Sequence, residues 1–294
     1  MADADEPDLE AGQTVELALS DLRARLPAGA ADLRDALPGF EPDRNVSDWG
    51  RSDRLERLVD RTLYGFLYHY WFRVGVQGIE NVPGTGGAML VANHGGALPP
   101  DGAMIAKAIA EEHSRPRAVH LTTERSFSGV PGVGMLLTKL GGVSAHPANV
   151  HRLLFDERQL VLVFPEGRDG TAKGLSERYR LRRFGTGGYV EAAMRARVPI
   201  VPVAVIGAEE AVPVFARLGL PRRLTRLASL PVTAPVPLPA KFAIRFLEPV
   251  YTDDLGRAPW EDKGLVQALS QDIRALIGEN LLEMLSERRS VWLG

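Results

Sequence analysis

Three short runs carry residue types that could do chemistry. In NHGGALPPDG, residues 93–102, His94 precedes Asp101 by seven positions, with Gly95 and Gly96 beside the imidazole. The run follows an apolar stretch at 88–92 that reads as a buried strand. A His at the carboxyl end of a strand stands where open α/β sheets hold their ligands. The two glycines remove side-chain bulk, so a substrate could approach closely. The intervening loop is long enough to fold Asp101 back onto the imidazole, which makes a general base with a fixed tautomer. The same residues also read as a hydrogen-bonded loop histidine and a helix N-cap, because Asp101 follows two prolines and opens a helical run.

The second run is FPEGRDG, residues 164–170, at the end of another apolar stretch. It offers an acid, a small residue and a cation. Glu166 could accept from substrate hydroxyls, Gly167 could let backbone approach, and Arg168 or the later Lys173 could supply positive charge. An ordinary strand-to-helix turn with solvated charges fits as well. The third run is VPIVPVAVIG, residues 198–207, where Pro199 and Pro202 interrupt a strand pattern. Proline cannot donate to a ladder, so it marks a strand start, an edge or a bulge; Pro202 would shape a pocket wall. Arginines at 178, 180, 182 and 183 and at 222, 223 and 226 read as solvated faces, or as contacts for anionic headgroups.

The elements that must position these runs alternate. Strands fit 74–77, 88–92, 118–121, 160–164, 200–206 and 242–246; helices fit 101–112, 132–140, 149–157, 186–197 and 265–287. That alternation predicts an α/β fold with a mixed, largely parallel sheet flanked by helices, preceded by a helical extension. The last helix has a stripe of Leu265, Leu269, Ile273, Leu276, Leu281 and Leu285. Residues 227–240 hold four prolines and no charge, and read as a rigid loop. Three segments follow: an extension over 1–50, an aromatic helix over 51–73, and a catalytic domain over 74–294. The aromatic helix carries Tyr64, Phe66, Tyr68, Tyr70, Trp71 and Phe72 between Arg57, Arg61 and Arg73. Any one ring suits a core helix, whereas the cluster suits a bilayer interface.

Composition narrows the options further. The chain has 294 residues and no cysteine, which excludes a disulfide framework, a Cys nucleophile and thiolate metal sites. Its net charge of −2 argues against a nucleic-acid partner. The first twelve residues carry five acids and no base, unlike a secretion signal. The uncharged stretch over 81–100 is broken by Gly and Pro and predicts no membrane span. No G-x-S-x-G elbow occurs, and SFSGVPGVG lacks the Lys-Ser/Thr ending of a phosphate loop. His146 and His151 lack helical metal spacing, and no bound metal is expected; His69, His113 and His120 read as structural or surface residues.

In order and spacing, NHGGALPPDG, FPEG and VPIVPVAV resemble the motifs of the glycerolipid acyltransferase superfamily, nearest its branch of monoacylglycerol acyltransferases. The resemblance covers about residues 72–250, with GIENVP before the first motif and GGVSAHPANVHRLL between the first and second. It implies the fold of that family and transfer of a fatty acyl group to a lipid hydroxyl. The donor is a thioester of acyl-CoA or an acyl carrier protein, with no bound cofactor and no covalent acyl-enzyme. His94 takes the place of the general base and Asp101 that of its paired acid; Glu166 and Gly167 match the acceptor motif, and Pro202 the last motif. Six residues separate His94 from Asp101, where the commonest family spacing is four; the branch resembled shares the longer loop. The middle motif ends in His146 where the family carries an Arg for the acceptor phosphate, and FPEG runs directly into Arg168. A neutral acceptor, such as an acylglycerol or a long-chain alcohol, is therefore expected, as is a cytoplasmic enzyme attached peripherally to the inner face of the membrane. A catalytically silent lipid-binding relative and an acyl-CoA thioesterase are the alternatives.

Overall fold

A computed structural model describes residues 48–95, 100–123, 132–171, 173–219, 229–234, 236–253 and 255–293. The extension expected over 1–50 falls almost wholly outside these residues, as does Gly96. Nine strands are described: β1 (Gly75–Gln77), β2 (Ala88–Ala92), β3 (Val119–Thr123), β4 (Gly142–Ser144), β5 (Leu160–Val163), β6 (Ile200–Ile206), β7 (Val214–Gly219), β8 (Ser229–Thr233) and β9 (Ala243–Phe246). Seven form one sheet in the order β1-β9-β6-β2-β5-β3-β4, and β7 pairs with β8 in a separate two-stranded ribbon. Every pair in the large sheet is parallel except β6 with β9. The helices are α1 (Asp53–Val59), α2 (Asp101–Glu112), α3 (Val133–Lys139), α4 (Pro147–His151), α5 (Gly167–Thr171), α6 (Gly188–Ala196), α7 (Ala208–Ala211) and α8 (Lys263–Glu287). This is the mixed, largely parallel sheet with flanking helices that the alternation predicts.

The central strand β2 explains why the sheet has two cores. It is buried on both faces, as the apolar run AMLVA requires. Ala88, Leu90 and Ala92 join a cluster with α2, while Met89 and Val91 join a cluster with α6 and α8. The aromatic helix belongs to the first of these. After α1, capped by Ser52 on the Leu55 N–H, the chain runs through π-helical turns at Asp60–Tyr64 and Leu67–Trp71. Tyr68 and Phe72 are buried, with the Phe72 ring packed at a tilt against Phe242, centroids 4.5 Å apart, whereas Phe66 and Tyr70 are exposed. One helix thus divides its rings between core and surface.

Two regions differ from the sequence reading. Residues 229–233, read as part of a proline-rich loop, form β8; Pro231 is tolerated there because a two-stranded ribbon has free edges. The buried face of α8 consists of Val266, Ser270, Ile273, Ile277, Leu281 and Met284, with Leu265, Leu269, Leu276 and Leu285 half-buried beside it. The stripe read from leucines alone is rotated because Ser270 and Met284 share the buried face. β4, β7 and β8 carry no long apolar run and escape a reading based on periodicity.

Asn93 secures the end of β2. It is 1% exposed, and its side-chain amide replaces a peptide in the ladder with β6: Nδ2 donates to Val205 O at 2.9 Å, and Oδ1 accepts the Val205 N–H at 2.8 Å. Asn93→Ala leaves both backbone groups buried and unpaired, an expected loss of about 2–4 kcal/mol in denaturant unfolding. A loss below about 1 kcal/mol would show that the pairing does not hold the strand end.

Candidate functional site

β2, β5 and β6 are adjacent and parallel, so their carboxyl ends open on one side of the sheet. His94 leaves β2 there, Glu166 leaves β5 and Glu209 leaves β6. His94 Nδ1 lies 2.9 Å from Asp101 Oδ2. A carboxylate only accepts, so the proton of the neutral imidazole sits on Nδ1 and Nε2 carries the lone pair. Asp101 is 1% exposed at the start of α2, and it also accepts from Gly102 N–H at 2.7 Å and from Gly95 N–H at 3.4 Å. These donors aim the carboxylate at the ring. Phe164 stacks under the imidazole, centroids 4.0 Å apart and planes 22° apart. Among the described residues, nothing bonds Nε2. The arrangement can take a proton from a hydroxyl or water and hold the resulting imidazolium against a buried carboxylate.

Glu166 and Lys173 occupy other positions than the substrate-facing ones expected. Glu166 is buried, and both its oxygens are engaged: Oε1 accepts the His94 N–H at 3.0 Å, and Oε2 accepts the Arg182 N–H at 2.7 Å. Lys173 is buried beside it, 3.2 Å from Glu166 Oε2 and 2.7 Å from Glu209 Oε1. Its charge is neutralised inside the protein, so it presents none to a ligand. Gly167 has φ of +52°, a left-handed turn that favours glycine independently of any ligand. Gly95 has its bare face covered: a Cβ there would overlap Cγ of Glu209. The missing side chain makes room for protein, not substrate.

Pro202 lies within β6, paired with Val91 and so three residues below His94 along the sheet. The β6 pairing with the β9 side slips by one residue between the Ile200–Val250 bridge and the Val203–Phe246 pair, and Pro202 falls in that bulge. Its carbonyl still accepts from Leu247 N–H at 2.9 Å. Gly96 and the side chain of Arg168 lie outside the described residues. His146 caps α4 by accepting the Ala148 N–H, and His113 bonds the Val82 carbonyl, so both serve local structure.

Sequence reasoning missed Glu209, Glu210, Tyr179 and the stacking role of Phe164. Tyr179 donates its N–H to Glu209 Oε2 at 2.8 Å and its hydroxyl to Glu210, and the hydroxyl accepts the Gly207 N–H at 2.9 Å. Burial and the Glu210 carboxylate push its phenol well above the ordinary range. Arg288, from beyond α8, reaches Glu210 at 3.1 Å. The available signal was the pair of acids in GAEEA, set directly after the apolar β6; adjacent acids at a buried strand end need cations nearby. Tyr179 gave no signal.

The model of the Acyltransferase family matches residues 73–206, which include all three motifs. An uncharacterized protein of Mycobacterium leprae is 38% identical over 290 residues, spanning 96% of this chain and 78% of its own. An uncharacterized protein of Mycobacterium tuberculosis is 37% identical, spanning 99% of this chain and 83% of its own. Among solved structures, the 1-acyl-sn-glycerophosphate (LPA) acyltransferase PlsC from Thermotoga maritima superposes with a TM-score of 0.51 at 18% identity, covering 81% of this chain and 82% of that one. The two share a fold.

The packing of Glu209 on the His94–Gly95 backbone can be probed by a methyl group. Gly95→Ala forces Glu209 aside and should cost about 1–3 kcal/mol in chemical unfolding. Gly174→Ala, where a Cβ meets nothing within 4 Å, should change stability by less than about 0.5 kcal/mol. Equal effects of the two would refute the close packing.

Proposed function

Because this chain belongs to the Acyltransferase family, we propose that it is a glycerolipid-type O-acyltransferase that moves a fatty acyl group from a thioester donor to a lipid hydroxyl. The observation that carries this reading is the His94–Asp101 pair, with Nε2 unbonded among the described residues at the carboxyl end of the central strand. In the proposed step, Nε2 takes the proton of the acceptor hydroxyl as its oxygen attacks the thioester carbonyl. The C–S bond breaks, the thiolate leaves, and the imidazolium returns the proton to sulfur. Asp101 stabilises the imidazolium throughout. With no cysteine in the chain, direct transfer is the route that fits.

Two features support lipid substrates. A cavity of about 340 Å³ begins at Gly102, the neighbour of Asp101; Ala103, Ala106, Ala110, Leu121 and Leu137 form an apolar part of its lining, and charged groups including Asp60 and Lys107 form the rest. It would house part of an acyl chain. Two described cations near the site face acids: Lys173 meets Glu166 and Glu209, and Arg182 meets Glu177 at 2.7 Å. That pairing favours a neutral acceptor, such as an acylglycerol or a long-chain alcohol, over one bearing a phosphate. We take acyl-CoA as donor, with acyl carrier protein as the alternative carrier.

The reading includes peripheral attachment to a membrane, at its cytoplasmic face. No helix among the described residues is long and apolar enough to cross one. Leu63, Phe66 and Tyr70 are exposed on one helical face, near Trp71, whose indole donates to Pro237 O at 2.9 Å. Gly75 pairs with Ala243, and Ala243 with Ile206 at the carboxyl end of β6, so the end of the aromatic helix lies on the same side of the sheet as His94.

The test is free-thiol release from acyl-CoA with monoacylglycerol, diacylglycerol, a long-chain alcohol and lysophosphatidate as acceptors. Release should depend on a neutral acceptor and vanish in His94→Ala; Asp101→Asn should lower kcat by about 10²–10⁴-fold. Release no greater than that of His94→Ala with every acceptor would sink the reading, and release independent of any acceptor would make the protein a thioesterase. For the membrane, Phe66→Ser with Tyr70→Ser should weaken flotation with phospholipid vesicles at least about tenfold. Flotation equal to that of the unaltered protein argues against this face.

A further inference from the structure

Behind the His94–Asp101 pair lies a buried charge cluster that the proton transfer does not use. Lys173 stands at its centre, with its side chain 1% exposed. Its ammonium lies 2.7 Å from Glu209 Oε1 and within 3.4 Å of both Glu166 oxygens. Each carboxylate touches the catalytic loop from its own side. Glu166 accepts the His94 N–H, and Glu209 packs on the bare face of Gly95. Glu166 follows β5 and Glu209 follows β6, so a single ammonium ties the loops after two strands to the loop after the strand between them.

We propose that Lys173 is a positioning residue for His94: it holds Glu166 and Glu209 as carboxylates against the two sides of the His94–Gly95 backbone and thereby fixes the imidazole, without touching substrate. The proposal rests on the general-base reading of His94. Its electrostatic logic is that two buried carboxylates cannot stay ionised side by side unless a cation lies between them. Burial pushes the Glu209 carboxyl up, the Glu166 charge pushes it the same way, and Lys173 opposes both. The other groups facing the cluster do not replace that cation. Tyr179 gives Glu209 a backbone N–H, while Arg288 is engaged with Glu210. Arg182 gives Glu166 its backbone N–H, while its exposed guanidinium bonds Glu177 and faces Asp169 and, least strongly, Glu166. Without Lys173, either one carboxyl takes up a proton or the two separate, and both responses move the His94 amide.

The experiment compares Lys173→Met, Glu209→Gln and the double variant in the full-length protein, using thiol release with the best acceptor over pH 5–9. Lys173→Met should lower kcat by about 10- to 100-fold, with KM for acyl-CoA changed less than about threefold. Its acid limb should move up by about one pH unit or more, because a carboxyl now takes up its proton at higher pH. Removing the second charge should reverse part of this: the double variant should exceed Lys173→Met in kcat and recover the original acid limb. Wild-type kcat and pH profile per folded molecule in Lys173→Met would overturn the proposal, as would a double variant no better than the single one. If Lys173→Met does not fold, Glu209→Gln decides: an unchanged kcat overturns the proposal, and a fall of about threefold or more at constant KM and unchanged melting midpoint supports it. His94→Ala separates the two levels. An inactive His94→Ala beside an unperturbed Lys173→Met sinks the clamp alone, whereas a fully active His94→Ala sinks the general-base reading and the clamp with it.

Discussion

The hydrogen bond from the His94 backbone to Glu166 is the constraint around which the site is arranged. A histidine on a loop is free to turn unless its backbone is held, and here the holding group is a carboxylate on the neighbouring strand. That carboxylate is buried, so its charge needs a partner, and Lys173 is that partner. Lys173 in turn holds Glu209, whose methylenes fill the space over Gly95. Each step costs desolvation, and each is offset by the next pairing in the chain of contacts. The outcome is an imidazole with three restraints: its amide on Glu166, its Nδ1 on Asp101 and its ring face on Phe164.

The sheet makes this arrangement possible because its three middle strands are parallel. Parallel neighbours deliver their carboxyl ends to one side, and a strand buried on both faces cannot shift its register without misplacing every side chain. Asn93 marks the boundary between the two regimes. Up to Ala92 the backbone pairs with β6 through peptides; at Asn93 the side chain takes over and the backbone is released to form the loop that carries His94. The residue before His94 is thus a structural plug, and its amide is needed because it both donates and accepts.

The parts of the fold that rest on long apolar runs were legible in the sequence. β2, β6 and α2 fall where hydrophobic patterning puts them, because both strands are buried along their length and α2 buries a face with Met104, Ile105, Ala108 and Ile109. β4 and the β7–β8 ribbon were not, since short strands on an edge or ribbon bury too little to leave a pattern. The candidate dyad was legible from residue types and from a loop that could close. What the spacing could not reveal was which charges face inward. Glu166 and Lys173 read as substrate contacts because acids and cations at a strand end are usually solvated. Their burial depends on Glu209 and the Tyr179 backbone, contributed by segments far along the chain, and no local pattern encodes such a meeting.

Those inward charges bear on the acceptor as well. A site that binds a phosphate needs a cation left over after its own acids are balanced. Lys173 lies between Glu166 and Glu209, and Arg182 lies on Glu177, so the acids around the loop consume these cations. The same balance that steadies His94 therefore lowers the positive potential next to it. A substrate whose reactive hydroxyl sits on an uncharged headgroup loses least by entering such a place. On the proposed reading its chain would cover the apolar part of the groove beside Gly102, formed by Ala103, Ala106, Leu121 and Leu137, and transfer from water is favourable in proportion to the apolar area covered. The aromatic helix ends on the same side of the sheet as the His94 loop, so on the proposed reading a bilayer bound by its exposed rings would lie on the side from which such a substrate enters.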